Sequence, residues 1–244
     1  MNEILKNGCL EMGIDISEGQ INQLINYARL LREWNEKINL TAITDDEGIA
    51  TKHFLDSLTA LLTGRVNGRV IDVGTGAGFP GLVLKTVKPE IELTLLDSLN
   101  KRINFLKEVS GQINLTGIDF VHGRAEDFGV NKAYRGTFDT VVSRAVANLR
   151  VLSEWCLPFL KVDGYFLALK GPLADDELRD AERAIYILGG EVEEVFEAQI
   201  PYTDLSHKII IIKKVRQTPQ KYPRKSGIAI KTPIETCYNL SKNK

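Results

Sequence analysis

A glycine-rich run in the first third of the chain has the residue types of a cofactor-binding loop. It reads Asp72-Val-Gly-Thr-Gly-Ala-Gly-Phe-Pro-Gly81. Its first glycine follows the stretch 70–73, which is apolar except for Asp72. Glycine admits positive φ and lets a ligand approach the backbone without a Cβ in the way. Pro80 suits the first turn of a helix, where its missing N–H has no helical partner to lose. The run predicts a strand, a tight loop and a helix that together bind a nucleotide-like cofactor.

An acidic residue at the end of the next predicted strand supports this interpretation. Asp97 follows the apolar run 92–96, where a carboxylate can accept hydrogen bonds from the hydroxyl pair of a ribose. A glycine pair alone more often only connects a strand to a helix, but three alternate glycines with Asp72 and Asp97 are jointly uncommon. Dinucleotides and S-adenosylmethionine both fit this geometry. The Gly-x-Gly-x-Gly spacing favours S-adenosylmethionine, since Phe79 and Pro80 occupy the helix N-terminus where a pyrophosphate would bind.

Two further stretches follow later strands. Ala125 and Glu126 come after the third predicted strand, where a backbone amide and an acid can meet the ring nitrogen and exocyclic amine of adenine. Acidic residues are equally typical of an ordinary helix start, because the helix dipole favours them there. Arg144 ends the fourth predicted strand, at the edge where open α/β sheets bind ligands, so we favour a functional role for it.

Helical periodicity dominates residues 1–65, which we expect to form an N-terminal helical cap. Ser17 and Gln20 have the spacing of a capping box, and the apolar residues behind them predict an amphipathic helix over 17–38. A second helix is predicted over 53–62.

From residue 66 to residue 215, short apolar runs alternate with helical ones, as in a Rossmann-like α/β core. Strands are predicted over 69–73, 92–96, 118–121, 137–143 and 165–170, and helices over 80–87, 100–112, 149–160 and 175–188. The runs 191–200 and 208–215 predict an antiparallel hairpin. We therefore expect a mostly parallel sheet with an antiparallel last strand, a topology that also favours S-adenosylmethionine over a dinucleotide.

The charged residues are unevenly distributed. From Lys213 onward the chain has nine basic residues and one acidic residue, whereas residues 1–212 have 22 basic and 31 acidic residues. We predict a basic C-terminal tail over 216–244 that binds a phosphate backbone, although a solvated, disordered terminus is the commoner outcome for a charge run. The predicted contacts are Lys221, Arg224, Lys225 and Lys231.

The composition argues against several other classes of protein. No apolar run near the N-terminus is long enough for a signal peptide or a membrane span, so we expect a cytoplasmic protein with no membrane partner. Cys9, Cys156 and Cys237 lack Cys-x-x-Cys spacing, and we therefore expect neither a disulfide framework nor a metal site.

Six motifs, in order along nearly the whole chain, resemble the RsmG (GidB) family. They are Trp34-Asn-Glu-Lys-Ile-Asn-Leu-Thr-Ala-Ile43, His53-Phe-Leu-Asp-Ser-Leu58, Asp72-Val-Gly-Thr-Gly-Ala-Gly-Phe-Pro-Gly-Leu82, Leu96-Asp-Ser-Leu-Asn-Lys-Arg102, Ser143-Arg-Ala-Val-Ala147 and Tyr222-Pro-Arg-Lys-Ser-Gly227. Members of this family are bacterial S-adenosylmethionine-dependent methyltransferases of the guanine N7 in the decoding-region loop of 16S ribosomal RNA. The resemblance implies that fold, cofactor and activity here, with 16S rRNA or the small ribosomal subunit as partner of a protein that we expect to be a monomer.

The resemblance also implies particular cofactor contacts. They are Gly74, Phe79, Ala125, Glu126 and Arg144, to which our interpretation of the glycine loop and of the second strand end adds Gly76 and Asp97. In the tail, the sequence Gly227-Ile-Ala-Ile-Lys-Thr-Pro233 departs from the Gly-Ile-Pro and lysine pair that the family commonly has.

The implied reaction needs no proton abstraction, because guanine N7 has an in-plane lone pair that is unprotonated at neutral pH. We therefore assign no catalytic acid or base and expect catalysis by positioning and electrostatics. Cys156 lies within a predicted helix, which argues against a covalent cysteine mechanism. His53 and Asp56 are more typical of hydrogen-bonded structural residues. The rival functions are an NAD-linked oxidoreductase and an RNA-binding assembly factor without catalysis.

Overall fold

The computed structural model describes residues 1–144, 147–171, 173–204 and 206–235, and it begins with a helical cap. The cap contains α1 (Asn2–Glu11), α2 (Glu18–Ile38), α3 (Asp46–Gly48) and α4 (Asp56–Leu62), with a π-helical segment, Ile49–Leu55, between α3 and α4. The Ser17 capping box begins α2 as predicted. The amide of Gln20 donates to Ser17 Oγ (3.3 Å), and the amide of Ser17 donates to Gln20 Oε1 (2.9 Å).

The second predicted cap helix begins earlier than residue 53. Asp45 Oδ1 accepts a hydrogen bond from the amide of Gly48 (2.7 Å) and so caps α3. From there the helical run continues through the π-helical segment into α4. Asp45, Asp46 and Glu47 are typical of a helix start, but none of residues 45–48 is apolar, so the apolar pattern that predicts the helix over 53–62 does not extend back to them.

A seven-stranded sheet carries the rest of the chain. The strands are β1 (Arg69–Val73), β2 (Glu92–Asp97), β3 (Ile118–His122), β4 (Phe138–Arg144), β5 (Leu160–Lys170), β6 (Gly190–Gln199) and β7 (Ser206–Lys214), in the spatial order β3-β2-β1-β4-β5-β7-β6. The strands β1 to β5 pair in parallel, and β7 runs antiparallel to both β5 and β6. This confirms the predicted mostly parallel sheet with an antiparallel last strand.

Helices connect the strands and cover both faces of the sheet. They are α5 (Gly81–Val87), α6 (Asn100–Gln112), α7 (Ala125–Phe128), α8 (Leu149–Cys156) and α9 (Ala174–Ile187), and a short α10 (Ile228–Lys231) follows the last strand. The strand β5 begins at Leu160 rather than at the predicted residue 165, because residues 161–163 are exposed and therefore lack the apolar signal of a strand.

Alternate residues of each central strand enter two hydrophobic clusters. In β7, Ile209 and Ile211 join the cluster that contains the cap, α5 and α6, whereas Ile210 and Ile212 join the cluster that contains α8 and α9. A strand buried on both faces has such a continuous run of β-branched residues. The cap and the sheet thus share one core. Within the described residues, no helix is long and apolar enough to cross a membrane.

The cap fixes the glycine loop through one buried side chain. The hydroxyl of Tyr27, on α2, donates a hydrogen bond to the carbonyl of Ala77. Gly78, the next residue, has φ of +98°, and a Cβ there would collide with the Tyr27 hydroxyl and with Leu106. Only glycine meets both requirements.

The residues that follow β7 are folded against the domain as far as they are described. We call residues 216–235 the C-terminal strap; the predicted tail extends to residue 244, but 236–244 lie outside the described residues. Tyr222 is buried, and Arg135 donates to the carbonyls of Thr218 and Tyr222 (2.7 Å each). The strap therefore returns across the domain by the side of α7 and α8.

We expect Tyr27→Phe to lower the free energy of unfolding by about 1–3 kcal/mol, because the buried carbonyl of Ala77 loses its donor while the ring still fills its space. Urea denaturation followed by circular dichroism measures the change. The exposed Tyr202→Phe is the control and should change stability by less than about 0.5 kcal/mol. Equal losses in the two variants would contradict a special role for the Tyr27 hydroxyl.

Candidate cofactor site

The glycine loop is fastened at both ends by one buried carboxylate. Asp72 Oδ2 accepts hydrogen bonds from the hydroxyl of Thr75 and from the amide of Gly81 (2.8 Å each). Burial raises the pKa of Asp72 to about 6, and its Oδ1 has no hydrogen-bond partner among the described residues. Between these attachment points, Gly76 and Gly78 have φ of +60° and +98°, and Gly74, just before them, has φ of +73°. The loop conformation is therefore one that glycine adopts without strain.

Asp97 holds the middle of the loop from the end of β2. Its Oδ2 accepts from the amide of Gly76 (2.9 Å) and from Arg102 (3.3 Å), and its Oδ1 accepts from the amide of Leu99 (2.8 Å). A carboxylate has about four lone-pair sites, so Asp97 retains an acceptor site for a ligand hydroxyl. The structure places Asp97 at the end of β2, as predicted.

Two adjoining cavities lie at the carboxyl edge of β1, β2 and β4, and both have Gly74, Asp97 and Ser98 in their walls. The smaller cavity, about 110 Å³, also has Ala125 and Glu126 in its wall.

The larger cavity, about 400 Å³, is completed by Gly76, Phe79 and Arg144, together with Thr41 and His53 of the cap. All seven predicted cofactor contacts thus meet in one continuous site. Their roles in binding stay a prediction.

The aromatic ring of Phe79 packs against the cap. It stacks on the imidazole of His53, with ring centroids 4.5 Å apart, and lies 5.6 Å from the ring of Tyr27. The guanidinium of Arg144 lies over the same ring, 5.0 Å from its centroid. A cation over an aromatic face is attracted by the ring quadrupole. Phe79 therefore helps to position two polar side chains that line the larger cavity.

A buried ionic network that the sequence analysis treated as structural holds Arg144. Asp56 is 1% exposed, and its two oxygens accept from Arg144 Nη1 and from His207 Nδ1, both at 2.5 Å. Burial alone would raise the pKa of Asp56, but the hydrogen bond from His207 and the charge of Arg144 hold it below its usual value. The same contact raises the pKa of His207.

No sequence motif marks His207 as a functional residue, because a histidine next to a predicted strand has no local feature that indicates a distant partner. Asp56 and His53 both belong to the motif His53-Phe-Leu-Asp-Ser-Leu58. Asp56 stands among apolar helix residues there, and a charged residue in such a position indicates a partner elsewhere in the fold.

His53 is neutral at physiological pH. Burial lowers the pKa of His53 to about 4, and the charge of Arg144 adds to the effect. Thr41 Oγ1 accepts from the amide of Ile43, so its hydroxyl hydrogen is free to donate to His53 Nε2 (2.8 Å). His53 Nδ1–H then donates to the carbonyl of Lys52 (3.1 Å). Arg144 Nη2 also lies 3.4 Å from Nδ1, but the carbonyl of Lys52 is nearer and can only accept, which favours the Nδ1–H tautomer.

The predicted phosphate-binding residues divide into two groups. Lys221, Lys225 and Lys231 are exposed. Arg224 instead forms a bidentate ion pair with Glu154, with Nε–Oε1 and Nη2–Oε2 distances of 2.9 and 2.6 Å, and its Nη1 donates to the carbonyl of Thr232 (2.8 Å). Glu154 is 1% exposed. Every guanidinium nitrogen of Arg224 therefore has an internal partner, which argues against the predicted phosphate contact at this residue.

Among the described residues, no cluster of histidine, cysteine, aspartate or glutamate has the composition of a metal site.

The fold and the site define a Rossmann-like α/β protein with a cofactor site at the carboxyl edge of its parallel strands. The structure of TrmN from Thermus thermophilus shares the fold, with a TM-score of 0.51 and 17% identity over 68% of this chain and 53% of that one. A family model described as "rRNA small subunit methyltransferase G" matches residues 20–205.

Relatives at much higher identity carry the same description. The "Ribosomal RNA small subunit methyltransferase G" of Alkaliphilus oremlandii (strain OhILAs) is 55% identical over 96% of this chain and 99% of its own. The protein of that name from Clostridium tetani (strain Massachusetts / E88) is 47% identical over 96% and 98%. The chain belongs to the rRNA small subunit methyltransferase G (GidB) family. The predicted resemblance, fold class and enzyme class are thereby confirmed, and so is S-adenosylmethionine as cofactor.

We expect His53→Gln to remove part of the acid sensitivity of the fold. In the wild type, the unfolded state binds a proton at His53 between its usual pKa of about 6.5 and the folded value of about 4, so stability falls as the pH falls through that range. The stability difference between wild type and variant should therefore shrink by about 2 kcal/mol between pH 7 and pH 4.5. Urea titrations at both pH values measure it.

The control is His122→Gln, since His122 is exposed at the end of β3. Its stability relative to wild type should change far less with pH. If the free energy of unfolding of His53→Gln changed with pH as much as that of the wild type, the result would contradict a buried, neutral His53.

Proposed function

We propose that the protein methylates N7 of a guanine in 16S ribosomal RNA, using S-adenosylmethionine bound in the two adjoining cavities. One observation carries the proposal: in a chain of this family, all seven predicted cofactor contacts line one site at the carboxyl edge of the parallel strands. Open α/β sheets bind their ligands at that edge. Family membership supports rRNA as the acceptor, as free RNA or as the small ribosomal subunit, and we extend the proposal to a cytoplasmic, monomeric enzyme.

The residues present fit the three parts of S-adenosylmethionine. Asp97 has acceptor capacity for the ribose hydroxyls, beside a loop whose positive-φ positions are all glycine. Glu126 Oε2 has no hydrogen bond within the described part of the chain and can accept from the adenine amine. The larger cavity, with Arg144 in its wall, has room and positive charge for the methionine carboxylate. When bound, the cofactor supplies an electrophilic methyl group.

The chain supplies positioning rather than proton transfer. Guanine N7 attacks through a lone pair, so no base is needed, and the groups near the larger cavity agree with this. His53 is neutral and is hydrogen-bonded through both ring nitrogens, and Asp56 is occupied by Arg144 and His207. Burial raises the pKa of Cys156 well above its usual value, which leaves its thiol unreactive. Catalysis then depends on in-line placement of N7 and on the fixed charges around it.

The assay is transfer of a labelled methyl group from S-adenosylmethionine to 16S rRNA, tested on both free RNA and small subunits, with digestion to nucleosides to identify 7-methylguanosine. Label in that nucleoside supports the proposal. RNA binding without transfer would favour the assembly factor, and binding of NAD in place of S-adenosylmethionine would favour the oxidoreductase.

We expect Asp97→Asn to raise the dissociation constant for S-adenosylmethionine by about 10- to 100-fold, because hydrogen bonds to a charged group are worth about 1.5–3 kcal/mol. Isothermal titration calorimetry measures it, with the melting temperature as a check on folding. Asp119→Asn, an exposed position on β3, is the control and should bind like wild type. Unchanged affinity in a folded Asp97→Asn protein would contradict the assignment.

We expect the triple variant Lys221→Ala, Lys225→Ala, Lys231→Ala to bind rRNA more weakly and with a smaller salt dependence. Each lost phosphate contact lowers the slope of log K against log salt by about 0.7 to 0.9. Arg224 is left intact, because its ion pair with Glu154 belongs to the fold.

Filter binding at several salt concentrations measures the slope. The control replaces three exposed lysines on other parts of the fold, Lys6, Lys107 and Lys132. An equal fall in slope for the control would show that the strap has no particular role in RNA binding.

A further inference from the structure

The C-terminal strap runs from β7 past the cofactor site, and polar contacts hold it at three places. At the first attachment, two basic side chains donate hydrogen bonds to backbone carbonyls. Lys214 is 1% exposed, and its Nζ donates to the carbonyls of Leu157 (2.7 Å) and Leu188 (3.0 Å) and to the Thr218 hydroxyl. Arg135 donates to the carbonyls of Thr218 and Tyr222. The strap is thus fixed as it leaves the sheet.

The second attachment lies next to the smaller cavity. The ion pair between Arg224 and Glu154 is nearly buried, and the Arg224 amide also donates to Glu154 Oε1 (2.8 Å). Removal of one partner from such a pair leaves an uncompensated charge, so the pair resists opening. Glu154 precedes Trp155, whose side chain is part of the wall of the smaller cavity. The strap is therefore anchored one residue away from the site.

The third attachment is in the site itself. The amide of Gly227 donates to Glu126 Oε1 (3.2 Å), and Glu126 lines the smaller cavity. Three residues later, Ile230 forms part of the same wall, although 58% of its surface is exposed. An apolar side chain left this exposed at the edge of a cavity gains free energy when a flat apolar ligand covers it.

We propose that the C-terminal strap is a lid that completes the adenine end of the cofactor site. Ile230 covers the face of the adenine ring, and Gly227 fixes the orientation of Glu126, which leaves Oε2 for the adenine amine. The inference rests on the proposed function, because it takes the ligand of this cavity to be S-adenosylmethionine. It gives the strap a role in cofactor binding that is separate from any contact of its lysines with RNA.

The test compares two substitutions on the same helical turn. Ile230→Ser removes the apolar contact with the cavity, whereas Ile228→Ser makes the same chemical change at a residue, 39% exposed, that does not line it. Calorimetry measures the binding of S-adenosylmethionine and of adenosine to the full chain. We expect Ile230→Ser to raise both dissociation constants by about tenfold, the effect of exposing roughly half an isoleucine side chain and its adenine partner, and Ile228→Ser to bind like wild type.

Equal affinities for the two variants would overturn the lid. A wild type that binds neither ligand would instead overturn the proposed function. Hydrogen exchange on the wild-type protein provides a second measurement that needs no substitution. Added S-adenosylmethionine should slow amide exchange in residues 222–232, and unchanged exchange there, with the ligand bound, would also overturn the proposal.

Discussion

The geometry of the cofactor site depends on how the buried carboxylate of Asp72 is satisfied. Asp72 Oδ2 joins Thr75, in the glycine loop, to Gly81, where α5 begins, so one side chain fixes both the loop and the helix that follows. Burying a carboxylate costs free energy, and its hydrogen bonds offset that cost. The loop between these points has glycine at both of its positive-φ positions, Gly76 and Gly78, and Asp97 reaches the Gly76 amide from the neighbouring strand.

A second carboxylate, Asp56, brings together parts of the chain that are far apart in sequence. Asp56 lies on the cap, Arg144 ends β4 and His207 lies on β7, and the nearly inaccessible carboxylate of Asp56 accepts hydrogen bonds from both of the other side chains. Such a network is strongly destabilised when one member is removed, so it fixes the position of its members. The cap is therefore part of the site. It presents His53 and Thr41 to the larger cavity and sets the direction in which Arg144 points.

The features that sequence reasoning predicted are those with a local signal. Each of these can be recognised from fewer than ten consecutive residues: the alternate glycines, the acid at the end of β2 and the apolar run 209–212. The features it missed depend on long-range partners. Asp56 and His53 are hydrogen-bonded as predicted, but nothing near them in sequence marks Arg144 as their neighbour. The start of β5 was missed for a different reason, because residues 161–163 face solvent. Arg224 looked like its lysine neighbours, since nothing near it in sequence marks Glu154 as its partner.

The C-terminal strap shows why a cluster of basic residues does not by itself define a nucleic-acid surface. Lys214 and Arg135 donate to carbonyls and Arg224 pairs with a buried carboxylate, so these basic side chains are engaged within the fold and are not free to contact nucleic acid. The remaining lysines are exposed, and Lys231 directly follows Ile230, which lines the cofactor cavity. Adjacent residues of one short helix therefore have different surroundings, one at the cofactor and one in solvent. A truncation of the strap would remove both together, so side-chain substitutions that leave the strap in place are needed to separate cofactor binding from RNA binding.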